Sequence, residues 1–217
     1  MIPSPVNFFF DPMLEATKLG CVRGARRLFR DLNFSLAPGT FMQVTGPNGC
    51  GKTSLLRIIC GLVTPDEGKV TWQGASIQSL GEEYARRLTY LGHRIGVKEE
   101  LTSVENLRIA SGLTASDLTT SDAREALERI GLAGREDLPA RFLSEGQRRR
   151  SALARLITGE TSLWVLDEVL ASLDSAAIKI VESLIERHLD NGGMAIVATH
   201  QELHIAAGSF QRLELAS

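Results

Sequence analysis

Nine consecutive residues, Gly46 to Ser54, read GPNGCGKTS and fit the phosphate-binding pattern G-x-x-x-x-G-K-[ST]. Glycines let a backbone curve around a phosphate, so that exposed N–H groups and a helix N-terminus face the anion. Lys52 adds a point charge for β- and γ-phosphates, and Thr53 offers a hydroxyl to Mg²⁺. The predicted contacts are Gly46, Pro47, Asn48, Gly49, Cys50, Gly51, Lys52, Thr53 and Ser54. The alternative is a chance glycine turn before a helix.

Two acids follow a second apolar segment, Leu163–Leu166 (LWVL). A buried strand that ends in a carboxylate can hold Mg²⁺, so Asp167 is predicted to bind metal opposite Thr53. Glu168 is placed to polarise a water for attack on a γ-phosphate. The alternative here is an acidic turn after a core strand.

Three apolar runs are predicted to form buried parallel strands: Phe41–Thr45, Leu163–Leu166 and Met194–Thr199. Each run is followed by residues that could bind a ligand or take part in a reaction, namely the glycine loop, the acidic pair and His200. Because open parallel sheets bind ligands beyond the carboxyl ends of their strands, the three sets are expected to converge.

The remaining pattern predicts additions to this parallel core. Residues 68–74 alternate between glycines as an antiparallel strand does. Residues from about 100 to 160 are mostly helical, with a capping box at Thr102 and Glu105. We therefore predict an α/β fold with an antiparallel β subdomain and a helical subdomain at roughly 97–160. Residues 1–12 are expected to be an N-terminal extension of a domain spanning 13–217.

The segment LSEGQ, residues 143–147, starts another helix, because Ser144 and Gln147 have the spacing of a capping box. A helix start favours anions. Three arginines follow at 148–150, and such a run is more typical of a solvated helix face than of a phosphate or nucleic-acid contact.

Composition favours an ordinary globular protein: 217 residues, 43% hydrophobic and 23% charged, with a formal net charge of −2. That balance does not indicate a nucleic-acid partner. No apolar run is long enough to span a membrane. The three cysteines lack metal-binding spacing and fit a reducing cytosol; Cys50 is interpreted as a small filler within the loop rather than a redox switch.

Taken in order, GPNGCGKT, LSEGQ, LWVLDE, Ser172-Leu173-Asp174 and His200 resemble the nucleotide-binding subunit of an ABC transporter over nearly all of 13–217. That resemblance implies ATP and Mg²⁺ as cofactors, a fold with a P-loop NTPase core, and two subunits that sandwich two ATP molecules. It implies catalytic roles for Lys52, Glu168 as the group that activates water, and His200 as the sensor of the γ-phosphate. It assigns Ser144, Gly146 and Gln147 to the partner's γ-phosphate, and Asp174 to communication across the dimer.

Several positions depart from the family pattern. Glu145 stands where glycine is usual, and an acid near phosphate is repulsive unless its side chain turns away. His93 replaces a glutamine that normally touches Mg²⁺ and the membrane subunit, so it is either a metal contact or a turn residue. No aromatic residue stands near Arg23, where the family usually stacks adenine.

The stretches GHRIGVKEELTSVENL, LFRDLNFSLAPG and VTWQG are similar to one subfamily, the ATP-binding subunit of the cytochrome c maturation system, often called a haem exporter. That similarity implies membrane subunits and haem-handling partners, and a peripheral position on the cytoplasmic face of the inner membrane. ATP hydrolysis would then power haem export or release of a haem-loaded chaperone.

Other function classes remain as alternatives. Another ABC transporter with a different substrate would carry the same motifs. A GTP-operated switch would need an Asn-Lys-x-Asp motif, which does not occur in this sequence. A small-molecule kinase would need a lid and an acceptor pocket but no LSEGQ. A DNA-repair or translation ATPase of the ABC class usually has coiled-coil insertions or tandem cassettes.

Overall fold

A computed structural model describes residues 13–112 and 117–216. The predicted extension at residues 1–12 lies outside the described residues. The strands are β1 (Leu14–Arg23), β2 (Arg26–Leu36), β3 (Thr40–Thr45), β4 (Glu67–Trp72), β5 (Ala75–Ser76), β6 (Leu88–Leu91), β7 (Leu163–Asp167), β8 (Met194–Ala198) and β9 (Ser209–Glu214). The helices are α1 (Lys52–Ile59), α2 (Ile77–Leu80), α3 (Glu82–Ala85), α4 (Ser103–Gly112), α5 (Thr120–Arg129), α6 (Glu145–Leu153), α7 (Arg155–Thr158) and α8 (Ser175–Asp190), with a 3₁₀ turn at Ala140–Phe142.

The five-stranded sheet is parallel and has the order β6-β7-β8-β3-β9. The three predicted strands form its centre, and this prediction is confirmed. β6 and β9 add one parallel strand on each side. The antiparallel strand expected at 68–74 is β4, and it pairs with β1 in a separate four-stranded sheet of order β2-β1-β4-β5.

The central strands are buried on both faces, which explains their unbroken apolar sequences. In β7, Val165 packs into a core shared with α1 and the antiparallel sheet. Its neighbours Trp164 and Leu166 point the other way, into a core shared with α5 and α8. The parallel sheet is therefore the middle layer between an antiparallel β layer and a helical layer.

The helical layer includes α4 to α7, which fall within the region predicted as a helical subdomain. Thr102 and Glu105 form the expected reciprocal capping box before α4, with N–H to oxygen distances of 2.8 and 3.1 Å. Among residues 13–112 and 117–216, no helix is both long enough and apolar enough to cross a membrane.

Candidate functional site

The carboxyl ends of β3, β7 and β8 lie side by side in the parallel sheet. Ala198, the last residue of β8, stands in register with Val44 of β3 and with Asp167 of β7. The glycine loop, the acidic pair and His200 therefore leave the same edge of the sheet, as the sequence predicts.

The glycine loop turns directly into α1, and two of its glycines are required by its shape. Gly51, the residue before the helix, has φ of +113°, in the left-handed region that favours glycine. Gly46 has φ of +142°, and a Cβ there would lie 2.5 Å from the Leu215 carbonyl oxygen and 2.7 Å from Cys50 Sγ. Cys50 is buried beneath the loop, which agrees with its interpretation as a filler.

The other two cysteines, Cys21 and Cys60, are also buried and unpaired. Burial raises the pKa of both thiols. Because the thiolate is the reactive form, burial disfavours reaction at either residue.

The Lys52 side chain is 7% exposed and runs back under the loop. Its ammonium group donates to the Gly46 carbonyl oxygen at 2.8 Å and lies 3.1 Å from His200 Nε2. The positive charge is therefore held at the centre of the loop, where an anion bound by the backbone N–H groups would meet it.

A pair of oxygen ligands lies beside this charge. The Thr53 hydroxyl donates to Asp167 Oδ1 at 3.2 Å, and Asp167 is 1% exposed. The second carboxylate oxygen, Oδ2, is buried and has no hydrogen-bond partner among the described residues. A buried carboxylate oxygen without a hydrogen-bond partner, next to a hydroxyl, fits a hard divalent cation. Phosphate and water oxygens would supply the remaining ligands of such an ion.

Glu168 and His200 follow the ends of β7 and β8 and complete the site. Glu168 Oε1 lies 3.6 Å from His200 Nε2 and 3.9 Å from Lys52 Nζ. His200 Nε2 also lies 3.2 Å from Asn48 Oδ1 of the loop. All three predicted catalytic side chains therefore meet in one place, with the carboxylate of Glu168 26% exposed and open to water.

The space between these groups is a cavity of about 260 Å³. It is lined by Leu28, Asn48, Gly49, Gly51, Lys52, Thr53, Ser54 and Glu168. Leu28 was missed from the sequence because an apolar residue in an edge strand carries no chemical signature. Arg23, the position expected near adenine, stands opposite Arg26 in the β1–β2 hairpin. Arg26, also not predicted, approaches the loop, with a guanidinium nitrogen 3.9 Å from where a Cβ on Gly49 would be.

A second cavity, of about 270 Å³, forms at the LSEGQ segment. Its lining brings together the four residues predicted there, Ser144, Gly146, Gln147 and Asp174. The capping box is present, since Ser144 Oγ accepts from Gln147 N at 3.2 Å and Gln147 Oε1 accepts from Ser144 N at 2.9 Å. Asp174 caps α8 through the Ala177 N–H at 2.8 Å. Of the residues that the structure describes, none lines both cavities.

Glu145 resolves the electrostatic conflict noted in the sequence by turning aside. Its carboxylate accepts from the Ser172 hydroxyl at 3.1 Å and from the Arg149 guanidinium at 3.3 Å. These hydrogen bonds, first from Ser172 and then from Arg149, lower the pKa of the Glu145 carboxyl.

The interpretation of the three arginines as a solvated face is wrong for Arg149. Arg148 pairs with Glu99 and Arg150 with Asp174 near the surface, whereas Arg149 is 6% exposed. A helix turns by about 100° per residue, so three consecutive side chains point in three directions and one of them faces the interior.

His93 is exposed in the loop after β6. Among the described residues, its side chain has no hydrogen-bond or ion-pair partner, and no group of three or more acidic, histidine or cysteine residues could hold a metal. Its proposed contact with Mg²⁺ therefore remains a prediction.

Comparisons with known proteins agree with this geometry. A family model described as ABC transporter matches residues 29–171. A protein of Nitrosospira multiformis named cytochrome c biogenesis ATP-binding export protein CcmA is 55% identical over 204 residues, which cover 94% of this chain and 99% of that relative. A protein of the same name from Nitrosomonas europaea is 50% identical over 214 residues, covering 99% and 98%.

Among solved structures, an ATP-binding cassette described as a dimer in a post-hydrolysis state, bound to ADP and Pi, has the same fold. Its TM-score is 0.75 at 22% identity, covering 87% of this chain and 88% of that one.

Proposed function

The chain belongs to the ABC transporter family and is an ATPase of that family, and we propose that it powers a membrane complex for c-type cytochrome biogenesis. The observation that carries the hydrolytic part is the meeting of Lys52, Glu168 and His200, each within 3.9 Å of another of the three. Lys52 and Glu168 also line the cavity at the glycine loop. The pathway is supported by relatives that share about half of their residues with this chain over nearly its full length.

In the proposed mechanism, the backbone N–H groups of the glycine loop and the N-terminus of α1 bind the β- and γ-phosphates of ATP. Lys52 places its positive charge between the same groups. The Glu168 carboxylate accepts a proton from the attacking water, and His200 donates a hydrogen bond to the γ-phosphate. These three side chains come from three different strand ends, so the chemistry depends on the sheet being intact.

Mg²⁺ is proposed as the cofactor, held by the Thr53 hydroxyl and Asp167. When bound it neutralises charge on the β- and γ-phosphates. The support is the unpartnered Oδ2 of Asp167, a buried anionic oxygen that otherwise bears a desolvation cost. His93, in the loop that follows β6, is proposed as a further contact of the ion.

The second cavity is proposed to receive the γ-phosphate of ATP bound to a second copy of the chain. Ser144, Gly146 and Gln147 form a helix start, which favours an anion, and Asp174 lies beside them. In a homodimer of this kind, each ATP would be held between the glycine loop of one subunit and the LSEGQ segment of the other. The two separate cavities of one chain would then serve two different nucleotides.

The remaining partners are proposed from membership of the ABC transporter family and from the similarity to the cytochrome c maturation subunits. They are integral membrane subunits and haem-handling proteins, with the chain lying peripherally on the cytoplasmic face of the inner membrane. Hydrolysis would drive haem export or release of a haem-loaded chaperone.

Deleting the protein tests this pathway. We expect covalent haem on c-type cytochromes to disappear from haem-stained gels while b-type cytochrome spectra remain. Wild-type protein should restore the c-type bands, and the Glu168→Gln variant, expressed at the same level, should not. Normal c-type bands in the deletion strain would leave an ABC ATPase that serves a different substrate.

A further inference from the structure

Arg149 is a buried cation that contacts both Glu168, the proposed general base, and Glu145 of the LSEGQ segment within one chain. Its guanidinium donates through Nη1 to the backbone carbonyl oxygen of Glu168 at 3.1 Å. Through Nη2 it donates to the carboxylate of Glu145 at 3.3 Å. Glu145 in turn accepts from Ser172. A continuous polar chain thus runs from Ser172 through Glu145 and Arg149 to Glu168.

The Glu168 end of this chain is a backbone position that needs support. Glu168 has φ of +54°, the left-handed conformation, which is unfavourable for a residue with a side chain. Such conformations persist only where the surroundings fix them. The Glu168 N–H is fixed by donating to the Ala198 carbonyl oxygen at 2.9 Å. Among the described residues, only Arg149 donates a hydrogen bond to the Glu168 carbonyl oxygen.

We propose that Arg149 is a positioning residue that holds the Glu168 backbone in this conformation and links it to the LSEGQ segment. The proposal rests on the proposed role of Glu168 in hydrolysis. With the carbonyl anchored, the Glu168 side chain leaves the backbone toward Lys52 and His200. Without the anchor, Glu168 can relax from the left-handed conformation to a more favourable one, and this change of the backbone would carry the carboxylate away from the attacking water.

The contact with Glu145 links Arg149 to the second cavity. Arg149 is 6% exposed, and a buried guanidinium is stable only when its charge is paired. Glu145 supplies that charge and also binds Ser172, two residues before Asp174. Through Glu145 and Arg149, a change in the geometry of the second cavity would therefore reach Glu168, the proposed general base in the first cavity. This connection couples the two nucleotide sites of one subunit.

Arginine suits this position better than lysine. A planar guanidinium donates in two fixed directions at once, whereas an ammonium group on a flexible stem is a single point charge. Arg149→Lys keeps the charge opposite Glu145 but loses one of the two simultaneous bonds. Arg149→Met keeps much of the apolar volume and loses both.

The test compares steady-state hydrolysis of MgATP by the full-length chain and its variants. We expect Arg149→Met to lower kcat about 10- to 100-fold, with KM and ATP binding to the monomer within about threefold of wild type. Arg149→Lys should recover part of the lost kcat. Arg148→Met is the matched control, one residue earlier on the same helix and paired with Glu99, and should stay within about twofold.

A double-mutant cycle tests the link to the second cavity. Glu145→Gln should lower kcat severalfold in the wild-type chain and have no further effect when combined with Arg149→Met. If Arg149→Met does not melt cooperatively, Arg149→Lys decides, because it retains the buried charge. A folded Arg149→Lys chain with wild-type kcat would overturn the proposal, as would equal losses in kcat and ATP binding.

These failures are distinct from failure of the proposed function. If Glu168→Gln abolishes hydrolysis while both Arg149 variants turn over normally, only the positioning role is wrong. If Glu168→Gln itself turns over normally, the base assignment falls first.

Discussion

Replacing Glu168 with Gln removes one proton acceptor and leaves the shape of the site almost unchanged. The side chain keeps its length, and the backbone keeps its bonds to Ala198 and Arg149. Asp167, the proposed metal ligand, is untouched. The substitution therefore isolates the basicity of the carboxylate.

The structure allows the kinetic and structural effects to be compared. The Glu168 side chain is 26% exposed, and His200 Nε2 and Lys52 Nζ lie 3.6 and 3.9 Å from its carboxylate, beyond hydrogen-bond distance. Ion pairs of this kind contribute about 0–1 kcal/mol to folding. A positioned general base contributes about 10²- to 10⁴-fold to a rate, or about 3–5 kcal/mol of barrier. The expected loss of kcat thus exceeds anything that altered stability explains.

The assay has two readouts on the same preparation. Phosphate release should fall by about 10²-fold or more. Because ATP still binds, size-exclusion chromatography with MgATP should show a dimer that persists longer than that of the wild type. Glu125→Gln, an isosteric change at an exposed position of α5, controls for loss of a negative charge.

Two results would refute this reasoning. Wild-type turnover in Glu168→Gln would mean that the residue is an acidic turn and no base. A loss of turnover accompanied by a melting shift larger than that of a surface substitution would mean that the carboxylate supports the fold.

The other predictions concern the loop, the second cavity and a histidine. Lys52→Ala should lower both ATP affinity and turnover, the latter by about 10²-fold or more, as measured by nucleotide binding and phosphate release. Gly146→Asp should abolish hydrolysis while monomer ATP binding persists. Gly146→Ala is its control for the steric effect, since a Cβ alone would lie 2.9 Å from the Ser172 carbonyl oxygen. Equal activity of the two variants would exclude an effect of the added charge. Burial lowers the pKa of His188 to about 4, and its ring stacks on Trp164 at 3.9 Å. The unfolded chain therefore binds a proton at His188 more readily than the folded chain does. The contribution of neutral His188 to the free energy of unfolding is complete above pH 6.5 and is lost as the pH falls through 4, by up to about 3 kcal/mol. His188→Phe should flatten that part of the pH dependence in denaturant melts, and an unchanged slope would contradict it.

The sequence predicted the centre of the site because its signals are local. The glycine loop and the unbroken apolar strands each show their character within a few residues. β9 was missed because Ser209–Glu214 is mostly exposed and lacks an apolar pattern. The orientation of Glu145 depends on Ser172, 27 residues away, and the burial of Arg149 depends on Glu168, 19 residues away. No local pattern records such contacts between side chains that only the tertiary fold brings together.

The position of β3 in the parallel sheet has a consequence for synthesis on the ribosome. Its two neighbours are β8 and β9, which are made after residue 193. Until then, the strand that leads into the glycine loop has neither edge paired, although it left the ribosome more than a hundred residues earlier. Unpaired apolar strands are sites of aggregation, and long-range pairing is slow to form. Nascent chains stalled before Met194 should therefore depend on chaperones, and the nucleotide site can form only when synthesis is almost finished.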